Sequence, residues 1–114
     1  MDVVHDAVAT SGDTYEEPIR IVAPPEVREF VRARGGKLYV WTVPHFSPRG
    51  TLTLLETATI RPAKRAGGFA RFAAGDFSLY LDCGPRAWPD ELVLELKRRR
   101  RVVRAYWNDC AYVM

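Results

Sequence analysis

The spacing of apolar side chains changes several times along this chain, and each change predicts an element. Val27, Phe30 and Val31 recur at helical spacing behind Pro24-Pro25, with Glu26 and Glu29 early, Arg28, Arg32 and Arg34 late, and Gly35-Gly36 as a stop. Proline suits the first helical position, acids favour the first turns and cations the last, so a short amphipathic helix is predicted here with three apolar side chains turned to a sheet. Residues 37–43 (KLYVWTV) carry apolar side chains in both alternation phases, as a central strand covered on both faces would. Residues 44–50, with two prolines and a glycine, break that pattern and predict a loop before a strand over 51–60. Leu52 and Leu54 share one phase and Leu55, Thr57 and Thr59 the other, a slip that predicts a β-bulge near Leu54-Leu55.

Residues 61–68 read as an exposed loop. Residues 69–74 and 77–82 then flank Gly75-Asp76, a two-residue connection in which glycine supplies the positive φ of a type II′ turn. The hairpin directs Phe77, Leu79 and Leu81 to the core and Ser78, Tyr80 and Asp82 away from it. After a loop over 83–89, Leu92, Leu94 and Leu96 alternate with Glu91, Val93, Glu95 and Lys97, and the period of two predicts a strand in spite of a helix-friendly composition. Residues 98–101 connect it to a return strand over 102–107, and Asn108-Asp109 marks a turn before a last strand over 110–113. One short N-terminal helix, six or seven strands, no internal repeat and no regular strand-helix alternation predict an α+β fold, the helix packed on a mainly antiparallel sheet.

A length of 114 residues with 47 % apolar content fits one folded domain. The charge is unevenly spread. Residues 1–17 hold five of the 14 acidic residues and no Lys or Arg, so residues 18–114 keep all 17 basic residues against nine acidic and a net charge of +8. The expected organisation is an acidic, mobile tail over 1–17 and a basic domain over 18–114. The uncharged stretch from Leu38 to Ser47 is far shorter than the ~18 apolar residues of a membrane span. The first 17 residues have neither the cations nor the apolar run of a secretory signal, so a cytoplasmic location and no membrane partner are expected. Cys83 and Cys110, 27 positions apart, match no zinc or CxxC spacing and read as free thiols.

Lys97, Arg98, Arg99, Arg100 and Arg101, followed by Arg104, Tyr106 and Trp107, form the sharpest chemical feature. Guanidinium groups there would meet phosphates or carboxylates, and the aromatic rings would meet unpaired bases. The same cations would also solubilise a sheet edge or pair with Glu91 and Glu95 across it. Cys83 at a strand end would be a nucleophile only with a base in reach, and His45 is the one histidine inside the domain, His5 lying in the tail. Trp41, Trp88 and Trp107 read as core aromatics. No phosphate-loop, dinucleotide-fold, zinc-protease or serine-hydrolase motif occurs, so no catalytic residue and no cofactor is assigned.

The order of helix, Gly35-Gly36 and apolar strand across Val27 to Val43, then Gly75-Asp76-Phe77-Ser78-Leu79-Tyr80-Leu81-Asp82, an Asp90-led stretch and a C-terminal strand resembles the HesB-like A-type iron-sulfur carriers over about residues 24–114. The resemblance implies iron or cluster binding by three cysteines, one after the first strand and two in a CGC near the C-terminus, since soft thiolates suit that cargo. Here Pro44-His45-Phe46-Ser47 stands at the first place and Asn108-Asp109-Cys110-Ala111 offers a single thiol at the second. Cys110 is thus the one ligand the resemblance carries over. The leading expectation is a small non-enzymatic binding domain, HesB-like in fold without the cluster ligands, whose basic surface takes an acidic protein. The alternatives are a nucleic-acid-binding module built on the arginine hairpin and an iron-sulfur or metal carrier using Cys110, alone or with Cys83 or His45.

Overall fold

A computed structural model of the chain describes residues 19–62, 68–82 and 89–108 in full and residues 3–7 by their backbone. Strand β1 (Val3–Ala7) pairs antiparallel with β2 (Ile19–Ala23). Helix α1 (Pro25–Ala33) follows, then the hairpin of β3 (Lys37–Ser47) and β4 (Gly50–Ala58). A second hairpin joins β5 (Ala70–Ala74) to β6 (Phe77–Asp82), and a third joins β7 (Glu91–Lys97) to β8 (Val102–Trp107).

The fold is α+β with one helix among the described residues, but the strands form two sheets rather than one. Their orders are β1-β2-β7-β8 and β4-β3-β6-β5. Four of the six pairings are antiparallel, and the two central ones, β2 with β7 and β3 with β6, are parallel. The chain is thus two halves of like plan, hairpin, connection, hairpin. The second strand of each half lies beside the third strand of the other. Edges β4 and β8 run side by side without a ladder, as do β1 and β5, and the Thr57 hydroxyl donates to the Val103 carbonyl across the first of these seams.

One core fills the space between the sheets. Leu38 and Val40 from β3, Phe72 from β5, Leu79 and Leu81 from β6, and Leu92 and Leu94 from β7 are all inaccessible to solvent or nearly so. The period-two readings hold here: Phe77, Leu79 and Leu81 are buried, as are Leu92 and Leu94, with Leu96 packed against them. Helix α1 buries Val27, Phe30 and Val31 as expected. The amides of Val27 and Arg28 donate to the Pro24 carbonyl at its start, and Gly36, at φ +78°, returns its amide to Val31 at its end. Arg28 reaches Asp76 in the β5–β6 turn at 2.6 Å and ties the helix to that hairpin. Gly75 has φ +70° while Asp76 is not left-handed, which fits the type II′ turn.

Three readings need correction. Val3–Ala7 lies in the stretch read as an acidic mobile tail, yet it forms β1, because β2 offers it an open ladder edge. Strand β2 itself was not foreseen, although Ile19, Ile21 and Ala23 are buried and alternate with an exposed Arg20, the pattern a half-buried strand requires. The loop over 44–50 and the bulge at Leu54-Leu55 are absent. Register runs unbroken from Tyr39↔Ala58 to Ser47↔Gly50, leaving Pro48 and Arg49 as the turn. Beyond Trp41 the strand has no β6 neighbour, and a strand with one free edge tolerates Pro44. This end of the hairpin projects past the core as an arm with Phe46 76 % exposed, so its side chains need not follow a burial pattern.

The missed central strand should matter more than the conspicuous arm. Ile21→Ala is expected to cost about 2–5 kcal/mol in urea unfolding, whereas Phe46→Ser should stay within about 0.5 kcal/mol. Equal losses would contradict this partition between core and arm.

Candidate anion-binding surface

Strands β7 and β8 are joined by a four-residue turn, residues 98–101, closed by the Lys97↔Val102 pair. All four arginines are exposed. Arg101 takes φ +52°, a left-handed backbone that side chains other than glycine adopt at a cost of roughly 1–2 kcal/mol. Arg104 is exposed two residues into β8. Among the described residues no carboxylate forms an ion pair with Arg98, Arg99, Arg100, Arg101 or Arg104.

The other three residues read as one binding set with these arginines have different surroundings. Lys97 Nζ lies 2.6 Å from Glu95 Oε1, and the Tyr106 hydroxyl donates to the same oxygen at 3.0 Å. The Lys97 hydrogen bond first, and the Tyr106 bond second, hold the Glu95 carboxyl below its ordinary value, while Glu95 raises that of Lys97. Both partners are thus already engaged on the outer face of the sheet. Trp107 is 4 % exposed in the core and presents no ring face to a ligand. Successive strand residues point to opposite faces, so Tyr106 and Trp107 cannot serve one surface together.

Two depressions bracket the arginine turn. On one side lies a groove of ≈ 600 Å³ along the β4–β8 seam, with Lys97, Arg99, Arg100 and Arg104 on one wall and Leu54 and Glu56 on the other. On the other side a hollow of ≈ 270 Å³ opens between the end of α1, the end of β4 and the start of β8. Its lining includes Phe30, Arg34, Leu38, Ile60, Arg101 and Val102, and holds two arginines and no carboxylate. The Arg34 guanidinium sits 3.8 Å above the Phe30 ring. Sequence reasoning treated Arg34 only as a helix-end cation and Phe30 only as core. Their spacing of four on one helix was the available signal, because such residues are neighbours on the helix surface.

A second aromatic group was also missed. Tyr39, in β3, stacks on Tyr80 at 4.9 Å and meets Phe69 edge-on at 5.4 Å, with Arg61 above Phe69. The direct pairing of Tyr39 with Tyr80 across the parallel ladder brings these rings together, which single-strand periodicity does not reveal. Trp41, half-buried on the same outward phase of β3, is not a core residue as expected. Trp88, Cys83 and Cys110 lie outside the described residues. His45 is exposed on the arm, and among the described residues no three histidine, cysteine, aspartate or glutamate side chains gather as metal ligands. No helix among them is long and apolar enough to cross a membrane.

Comparison with protein-family models, with curated proteins and with solved structures finds no match to this chain.

Two outcomes test this description of the turn and its anchor. Arg101→Gly relieves the left-handed backbone and is expected to leave stability unchanged or raise it by up to about 1 kcal/mol in thermal or urea unfolding. Tyr106→Phe removes one of the two bonds that favour ionised Glu95, so the Glu95 carboxyl should titrate closer to its ordinary value by NMR. Because the folded-state value is depressed, what Glu95 adds to stability is present above the ordinary carboxylate range and is lost as pH falls through the lowered value. The Phe variant should lose less on acidification.

Proposed function

We propose that this protein is a small non-enzymatic binding domain that engages an anionic partner through the β7–β8 turn. The observation that carries the reading is the run of four exposed arginines on one short turn, joined by Arg104 on the adjoining strand, with no ion pair to a described carboxylate. Arginine's planar fork matches phosphate and carboxylate oxygens in pairs. A hairpin turn anchored by a full β7–β8 ladder also holds those forks at less entropic cost than a disordered basic tail would.

The surroundings add two supports. Glu95 engages Lys97 and Tyr106, whereas the four turn arginines form no ion pair with a described carboxylate. The excess of positive charge over residues 18–114 strengthens long-range attraction of a polyanion toward this end of the molecule.

Salt dependence tests the reading. If four arginines each displace a counterion from a labelled single-stranded oligonucleotide, log K should fall with log salt at a slope of about −3. Joint replacement Arg99→Ala and Arg100→Ala should make that slope shallower by about 1.4 while leaving the melting temperature near that of the parent. An affinity that does not respond to salt, or to these two substitutions, removes the turn from the function.

A further inference from the structure

We infer that the hollow beside the arginine turn is a subsite for one unstacked base of a single-stranded nucleic acid whose phosphates cross the turn; this rests on the anion-binding reading above and names its partner. The hollow and the turn share Arg101, so a ligand on the turn meets the hollow directly. Its chemistry is not that of a simple phosphate cradle. Leu38, Ile60 and Val102 supply an apolar lining, and Ile60 is 79 % exposed at its side.

The Arg34 guanidinium covers the Phe30 ring at 3.8 Å, and Phe30 itself is 8 % exposed. A guanidinium seated over a ring can offer its far side to a base, and unpaired bases stack on guanidinium planes as they do on aromatic rings. The ≈ 270 Å³ of the hollow falls just below the ~300–1,000 Å³ of sites for drug-sized ligands, the scale of a ring system with part of its sugar.

Competing partners fit less of this. A duplex keeps its bases stacked inside and would use the arginines alone. An acidic peptide offers short carboxylates that gain nothing from an apolar floor. A single strand presents both things the surface asks for, regularly spaced phosphates and a flat apolar face beside each one.

The experiment is an anisotropy titration of the whole protein at low salt with four labelled probes: an oligothymidylate, an abasic strand of equal length, a duplex and polyglutamate. The oligothymidylate should bind about tenfold tighter than the abasic strand and tighter than the other two. Arg34→Lys keeps the charge but removes the plane; it should lose about that same factor on the oligothymidylate and leave the abasic strand unchanged. Arg34 is exposed, and an unchanged thermal melt confirms that the variant folds. Equal affinity for the base-bearing and abasic strands overturns the base subsite and leaves the anion reading standing, as does an Arg34→Lys loss shared by both. Tighter binding of polyglutamate or duplex overturns the choice of partner. No binding to any probe overturns the anion reading itself, and the subsite with it.

Discussion

Two parallel pairings, β2 beside β7 and β3 beside β6, hold the rest of the structure in place. Each joins a strand from the first half of the chain to one from the second, and each places fully buried side chains on the core side: Ile21 with Leu92, and Val40 with Leu81. An isolated hairpin is marginal in water because it has one apolar face and nothing to cover it. Here each half supplies a central strand to the other half's sheet, so neither can form its core alone. Parallel pairing also demands a long connection. Helix α1 links β2 to β3, strands of different sheets, and its Val27, Phe30 and Val31 join the common core.

That arrangement explains which parts of the fold are legible from the residues. Hairpins are local, so their signals are too: Gly75-Asp76 with Phe77, Leu79 and Leu81, or Leu92, Leu94 and Leu96 returning through Val103 and Ala105. The helix is legible for the same reason, through Pro25, Val27, Phe30, Val31 and the glycine pair. The division into two sheets is not local. It depends on β2, whose five residues, Ile19–Ala23, sit between an acidic stretch and a proline pair and are easily taken for a lead-in to the helix. Without β2, strand β7 has only its hairpin partner β8, and the remaining strands read as one sheet. The β3–β4 arm fails for the opposite reason. Its strands continue because their ladder continues, although no core lies beneath them to impose alternation.

The candidate site divides in the same way. The arginine run is visible in any reading, and its place on a turn follows from the strands either side. Which neighbours share its surface does not follow from proximity in sequence. Trp107, adjacent to Tyr106, is in the core; Arg34, 67 positions before Arg101 in the numbering, lines the same hollow. Strand parity decides the first and could have been applied at once. The second needs the packing of α1 beside the seam of β4 and β8, which only the assembled sheets provide.

An arginine run at a sheet edge has another physical explanation, protection of that edge against pairing with other chains. The two explanations place the cations differently. Edge protection needs charge along the strand whose backbone groups are open, and on β8 Arg104 is where such a cation belongs. The turn over residues 98–101 has no ladder edge to guard. Four consecutive arginines there repel one another, and Arg101 holds a left-handed backbone that glycine or asparagine would adopt at lower cost. Lys97 is neutralised by Glu95, yet the turn arginines have no ion-paired carboxylate among the described residues. A turn selected for stability alone would relieve both strains. Their coexistence beside an apolar hollow is what the proposed anionic ligand would account for, its charge answering the arginines and its uncharged part entering the hollow.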